Sequence, residues 1–392
     1  MRIVFFLNQR GPWQGGISYY YNLFNAIRSA PTAQKSCLIG FYFKGDTLHE
    51  GLRNQLDEIH EIDDGGLAGK AILRISAFLS RRNGLGWLRP ESSISRMARR
   101  VKADVVFLKD APFEYFRVPT VCWFPDFQYL HMPQMFPPDI LEIYRQTVTV
   151  MARYATRLML SSQSALNDIK HILPEYVYKV SVVPFSAYID DDVFNENPEL
   201  TIKKYHLPQK FFYLPNQFWQ HKNHLVVLKA LELALKRDSN ITIVSSGELS
   251  DFRNPFYPSE IVTEISLRGL RDNFILLGSI PHKDVYSLCR ASLAIIQPSL
   301  FEGWNTSIEE ARSLGKRIIA SNIEVHHEQN AAGTMFFERH SPEELADLLI
   351  KGYQEFIPGP DPIVEMAARK DMVERVHLYG KAILSLLTEA AT

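Results

Sequence analysis

Residues Leu293–Ser321 read LAIIQPSLFEGWNTSIEEARSLGKRIIAS. A run that is apolar on both faces, Leu293–Ile296, stops at a turn around Pro298 and Ser299. A second, Ile318–Ala320, follows Gly315. Between them Ile308, Ala311 and Leu314 recur at helical spacing, so a helix is expected to start near Asn305 or Thr306 and to end at Gly315. Strand, helix, strand over so short a stretch is a βαβ unit, and such units build parallel sheets buried beneath helices. Thr306-Ser307-Ile308-Glu309 has the pattern of a capping box, which gives Glu309 a local structural job. Glu302 and Glu310 have no such job. One stands on the loop and one in the first turns of the helix, where both can reach a ligand at the carboxyl edge of the sheet.

The same alternation runs outward in both directions. RIVFFLN, SCLIGFYF, ADVVFL, PTVCWF, TRLMLSS and KVSVVPF are strand candidates in the first half. FFYLPN, NITIVSSG, NFILLGS, LAIIQPS and RIIAS follow in the second. Between Ser186 and Gln209 the pattern breaks into a polar, proline-containing stretch, read as a connection. The expectation is α/β with two consecutive Rossmann-like, doubly wound domains. One spans 1–190 on the acceptor side, 191–209 is a linker, 210–375 binds the ligand, and 376–392 is a C-terminal helix that packs back on the first domain. The natural site in such a tandem is the cleft between the domains.

Composition narrows the function. The chain has 392 residues, 46% hydrophobic and 22% charged, with formal net charge −1. That length suits two domains, and the near-neutral charge gives no case for nucleic acid. Cys37, Cys122 and Cys289 are scattered, with neither metal-ligand spacing nor an even count for a disulfide framework. The apolar run at the N-terminus, Ile3–Leu7, is too short for a signal peptide, and no run approaches a membrane span. A cytoplasmic protein, or one peripheral on the inner face of a membrane, is expected.

Other stretches could carry chemistry. Gly15 and Gly16, after strand one, allow backbone to approach a ligand at a helix start, although NQRGPWQGGIS is not a dinucleotide fingerprint. Lys222, in LPNQFWQHKNHLVVL, could meet phosphates beside backbone N–H groups. His221 and His224 have no third metal ligand nearby, and EVHHEQN is not a zinc motif, so hydrogen-bonding or structural roles are expected. Asp190 and Asp192 form a D-x-D, but inside the expected linker, where an acidic connector is the plainer reading.

Taken with its flanks, SLFEGWNTSIEEARSLGKRIIAS resembles the E-x7-E signature of the family-four glycosyltransferases, retaining enzymes with the two-Rossmann GT-B fold. Their common form is S-x-x-E-G-F-G-x-x-x-x-E-A-x-x-x-G-x-P-V-I-A-S. The likeness covers the second domain nearly throughout and the first more loosely, through Gly15-Gly16, SSQSALNDI and VVPFSAY. It implies that Glu310 binds the nucleotide ribose and Glu302 the transferred sugar. Backbone groups of Gly303, Asn305, Thr306 and Ser307 would touch sugar and diphosphate, as would Lys222 and Gly16. Asp126, in WFPDFQYLHMPQMF, matches the aspartate of a family histidine–aspartate pair whose histidine is missing; His131 follows five residues later. Catalytic roles are thus implied for Glu302, Asp126 and Lys222. The family arginine before the lysine is replaced by Asn216 or Gln217, and the second motif glycine by Asn305. The implied activity is transfer from a nucleotide-diphosphate sugar to a glycan or polyprenyl-linked acceptor, with no cofactor or metal, in bacterial surface-polysaccharide synthesis. A sugar-nucleotide 2-epimerase of the same fold and a non-catalytic sugar-nucleotide binder are the alternatives.

One local feature stands apart. Residues 68–102 hold nine Lys and Arg against Glu91 alone. Within KAILRISAFLSRR the charges alternate with Ile72, Leu73, Ile75, Phe78 and Leu79. This reads either as a segment facing an anionic membrane surface or as a solvated helix face over an apolar core stripe.

Overall fold

A computed structural model describes residues 1–7, 15–30, 36–63, 66–81, 85, 88–109, 111–238 and 240–392. The chain forms two compact units. The first comprises Met1–Tyr129, Pro137–Ser186 and Arg375–Thr392; the second comprises Leu130–Phe136 and Ala187–Glu374.

The first unit is built on seven parallel strands: β1 Arg2–Phe6, β2 Cys37–Phe43, β3 Glu58–Ile62, β4 Val105–Leu108, β5 Thr120–Trp123, β6 Arg157–Leu160 and β7 Val180–Val182. Their order is β3-β2-β1-β4-β5-β6-β7. The second unit has six: β8 Phe212–Pro215, β9 Ile243–Ser246, β10 Phe274–Leu276, β11 Ile295–Gln297, β12 Ile318–Ser321 and β13 Met335–Phe337, ordered β10-β9-β8-β11-β12-β13. In each sheet the chain winds outward to one edge, then returns to the middle and winds to the other. The reversals lie between β1 and β4 and between β8 and β11. Both are doubly wound sheets with a topological switch point, as expected from the sequence.

Four inner strands, β4, β5, β9 and β12, are buried at every position. Phe212, Leu214, Ile243, Ile296 and Ile319 of the second sheet pack with Val227, Leu231 and Leu349 of the covering helices. The two strands absent from the sequence reading, β3 and β13, are edge strands and partly exposed. A search for runs apolar on both faces passes over such strands, because one face and one edge meet water.

The stretch read as a connection is not irregular. It carries two short helices, Asp191–Asn195 and Pro198–Lys204, with Pro198, Thr201 and Ile202 buried. Buried charge fixes it to the second unit. The Arg290 guanidinium donates to the carbonyls of Val193 (2.6 Å), Phe194 (3.1 Å) and Glu196 (2.9 Å) and pairs with Glu365 at 2.7 Å. Asp284 receives Lys204 at 2.5 Å and Tyr205 at 2.7 Å. Asp190 sits at the N-cap of the first of these helices and Asp191 pairs with Arg369, so the D-x-D aspartates belong to a helix start.

The last helix is longer than expected, Pro362–Ala391. Its end belongs to the first unit, where Gly380 lies against the helix Gly15–Ser29. A Cβ on Gly380 would fall 1.8 Å from the Ala26 carbonyl oxygen, so only glycine fits there. Overpacking of this kind costs about 1–3 kcal/mol, and each kcal/mol moves Tm by about 2–4 °C in a domain of this size. Gly380→Ala is therefore expected to lower Tm by about 2–12 °C in a thermal melt. An unchanged Tm would refute the close approach.

Candidate functional site

The switch point of the second sheet places two loops side by side. After β8 the chain makes one 3₁₀ turn, Gln220–Lys222, and passes through Asn223 at φ 56° into the helix His224–Leu235. After β11 it runs through Pro298–Trp304 into the helix Thr306–Ser313. The loops are laced together. Asn223 Nδ2 donates to the Pro298 carbonyl (3.1 Å), Leu300 N to the His221 carbonyl (2.8 Å), and Lys222 Nζ to Glu302 Oε1 (2.6 Å). The two charges are largely buried, with side chains 15% and 9% exposed. The structure thus brings Lys222 and Glu302, two of the residues singled out in the sequence, into direct contact.

Asn305 is the N-cap of the helix: its side chain accepts from Ile308 N at 3.2 Å. This corrects the expected capping box. The box begins one residue earlier, so Glu309 falls one position beyond the place from which it could reach back. Glu309 is instead buried and receives Gln329 Nε2 at 3.1 Å. Glu310 faces the other way, receiving Tyr286 Oη at 3.4 Å and lying 3.2 Å from His282 Nε2 through the same oxygen, Oε1. Glu302 likewise uses Oε1 for both Lys222 and Asn305. Among the described residues, the Oε2 atoms of both glutamates make no hydrogen bond, so each carboxylate is held by one oxygen with the other open to a ligand. Thr306 and Ser307, in the first helical turn, have N–H groups without intrahelical acceptors.

The floor of this edge is polar and incompletely satisfied. Asn216 Nδ2 beyond β8, Gln297 Nε2 at the end of β11 and Ser299 Oγ just past it are buried without hydrogen-bond partners. Buried polar atoms without a partner are few in folded proteins, and three of them gather at this edge.

The histidines have unlike surroundings. His221 is kept neutral by burial and by the Lys222 and Arg253 charges, and its Nδ1 lies 3.1 Å from an Arg253 nitrogen. His224 is buried, stacked on Phe218 at 4.2 Å, with its pKa pushed down to about 3 by burial and then by Lys222. Arg253, from the loop after β9, pairs with buried Asp251 and stacks over Trp219. It brings a guanidinium against the Lys222 turn, where the sequence had suggested that a positive charge was missing. Asn216 and Gln217 are not cationic substitutes, and Gln217 Oε1 accepts from Glu248 N.

In the first unit, Gly15 and Gly16 open the helix Gly15–Ser29, as expected, while Asn8–Gln14 lie outside the described residues. Asp126 follows β5, and its Oδ1 accepts from Gln128 N at 2.9 Å. His131, in the segment assigned to the second unit, stacks on Phe301 at 5.0 Å. Among the described residues no group of three or more His, Cys, Asp or Glu is arranged to hold a metal.

Against known proteins, residues 199–355 match the family model described as "Glycosyl transferases group 1". Solved structures align along the whole chain. A glycosyltransferase from Rickettsia africae gives a TM-score of 0.69 at 19% identity, covering 99% of this chain and 98% of that one. HepE of Anabaena, in complex with UDP and glucose, gives 0.68 at 15%, covering 99% and 100%. The chain has the GT-B fold. WaaG, a glycosyltransferase involved in lipopolysaccharide biosynthesis, shares it at a TM-score of 0.59 and 16% identity, covering 99% of this chain and 98% of that one. A curated relative from Escherichia coli, UDP-Gal:alpha-D-GlcNAc-diphosphoundecaprenol alpha-1,3-galactosyltransferase, is 27% identical over 198 residues, 46% of each chain. The match therefore spans about half the length of that relative. In this GT-B chain Lys222, Glu302, Asn305 and Glu310 all lie within the matched region.

The His282–Glu310 contact makes stability depend on pH. Burial lowers the His282 pKa, but the Glu310 hydrogen bond and charge outweigh it, and the net shift is upward. A raised folded pKa gives stabilisation that is full below the unfolded value of about 6.5 and is lost as pH rises through the folded value. Wild type is expected to exceed His282→Ala in Tm at pH 6 by a margin that shrinks by pH 9. An equal margin at both would show that the pair carries no charge.

Proposed function

We propose that this chain is a retaining glycosyltransferase that moves a sugar from a nucleotide-diphosphate sugar to a glycan or lipid-linked glycan acceptor, without a metal ion. The observation that carries the reading is the pair of half-engaged carboxylates, Glu302 and Glu310, beside Lys222 at the β8/β11 switch point. The open oxygen of Glu310 would accept ribose hydroxyls and that of Glu302 the hydroxyls of the sugar. Lys222 would turn from Glu302 to the diphosphate.

The chemistry follows the charge. As the anomeric C–O bond breaks, its electron pair stays on the phosphate oxygen. Lys222 and the free N–H groups of Thr306 and Ser307 would stabilise that charge. The acceptor oxygen bonds to the anomeric carbon from the same face and gives its proton to the leaving phosphate. No protein nucleophile is needed. Asp126 would contact donor or acceptor from the first unit, as would Gly15 and Gly16. The name of the E. coli relative favours UDP as the nucleotide and a lipid diphosphate as the acceptor carrier.

Glu310→Ala is expected to abolish binding of UDP-, GDP- and ADP-sugars with a loss of Tm no larger than that of His282→Ala, and wild type to transfer sugar in EDTA. Unchanged donor affinity in that variant, or release of a free epimer with no transfer, would overturn the reading.

A membrane-borne acceptor also fits the helix Gly66–Arg81. Its buried positions are Ser76 and Ser80, which face the helix Pro138–Tyr154; the Ser80 carbonyl accepts from Tyr154 Oη at 3.1 Å. Ile75 and Phe78, each 53% exposed, lie on the outer side with Lys70, Arg74 and Arg81. The apolar stripe is therefore not core, and the helix is amphipathic in the reverse sense, serines inward and large apolar groups outward. Arg89, by contrast, is buried over Tyr154 and leaves the surface set. No helix among the described residues is long and apolar enough to cross a membrane. Docking of this helix on an anionic lipid surface is the role proposed for it. The chain should float with vesicles containing phosphatidylglycerol but not with pure phosphatidylcholine, and Ile75→Ser with Phe78→Ser should abolish flotation. No flotation of the wild type would overturn the docking role.

A further inference from the structure

Asn305, which stands where the resembling family has glycine, is gripped from below by a single short helix, Glu324–Gln329. Gln329 Nε2 donates to its backbone carbonyl at 2.8 Å, and His326 Nε2 lies 3.2 Å from its side-chain Nδ2. His326 and Asn305 are each 1% exposed. His326 Nδ1 faces the Ser321 carbonyl at 2.9 Å. The Ser321 hydroxyl, also near Nδ1, gives its own proton to the Ser299 carbonyl at 2.6 Å. A carbonyl only accepts, so the ring proton sits on Nδ1 and Nε2 presents a lone pair. Burial keeps the ring neutral, with its pKa pushed down to about 4 in spite of the Glu302 charge.

We infer that His326 is a positioning residue for Glu302, acting through the side-chain amide of Asn305. The lone pair on Nε2 demands the nitrogen end of that amide. The oxygen end is then turned to Ile308 N, where it caps the helix. The two amide protons are shared among His326 Nε2, Gln297 Oε1 at 3.1 Å and, at the longest range, Glu302 Oε1 at 3.4 Å. The reversed amide would lose the cap and set an oxygen against the Glu302 carboxylate. The orientation matters most when Lys222 leaves Glu302 for a phosphate, because Asn305 is then the remaining donor to Oε1. This inference rests on the transferase reading for its effect on catalysis, but its hydrogen-bond assignment does not.

The test therefore has two arms. In long-range ¹H–¹⁵N NMR of the wild type, His326 is expected to be the neutral Nδ1–H tautomer throughout pH 6–8. Asn305→Asp, which offers Nε2 only oxygens, should convert it to the doubly protonated ring. An Nε2–H tautomer in the wild type would overturn the inference. In the second arm, His326→Ala is expected to lower kcat for transfer by about ten- to a hundredfold, the size of effect that a small misplacement produces. Affinity for the free UDP, GDP or ADP that wild type binds should stay within about twofold, since Glu302 does not reach the nucleotide in the proposed arrangement. His326→Gln, which can still accept from Asn305, should recover most of the loss. Nucleotide affinity falling in step with kcat would reduce His326 to a structural residue, and unchanged kcat would refute the positioning role. A wild type that binds none of these nucleotides would sink the transferase reading instead, and the NMR arm alone would decide on His326.

Discussion

Lys222 and Glu302 meet at 2.6 Å with little access to water, and the second unit's carboxyl edge is arranged around that meeting. Neither ion is stable there alone. Removing one partner of a buried pair typically costs about 3–5 kcal/mol, since the other charge is left uncompensated. The pair therefore fixes the register of two loops that are distant in sequence and adjacent only because β8 and β11 are neighbours. Asn223, Leu300 and Asn305 support it with directional bonds. The arrangement holds a cation and an anion together at one edge of the sheet.

Much of this was legible in the sequence, for a physical reason. Parallel strands buried on both faces leave unbroken apolar runs, and all the inner strands showed them. The edge strand EIHEI did not, since water reaches one side, and MFF was passed over because its apolar run is only three residues long. Polarity also misled between Ser186 and Gln209, where the carbonyls at the end of one short helix are satisfied by Arg290, and Lys204 of the next by Asp284, both from far along the chain. The capping box was misplaced by one residue because asparagine, as well as serine and threonine, caps helices well. In the basic segment, periodicity alone could not say which side of the helix was inside.

The site residues were legible to different degrees. Glu302, Glu310 and Lys222 stand out as charges at loop–helix junctions. His326 and Arg253 do not, because their significance lies in contacts made across the fold, with Asn305 and with the Lys222 turn. A histidine pair in EVHHEQN suggested only a failed metal motif. The fold turns one ring inward to Asn305 and the other outward to Asn322, at 2.6 Å.

The long final helix has a consequence for how the protein is made. The first unit lacks one of its own elements until residues Arg375–Thr392 have been synthesised, and the whole of the second unit, Leu130–Phe136 and Ala187–Glu374, is encoded before them. Helix Gly15–Ser29 must then wait, with the surface around Ala26 uncovered, for a segment made after the whole of the second unit. Domains usually mature in the order of their synthesis. Here the order is reversed at the end: the unit that starts first is completed only after all residues of the second have been made.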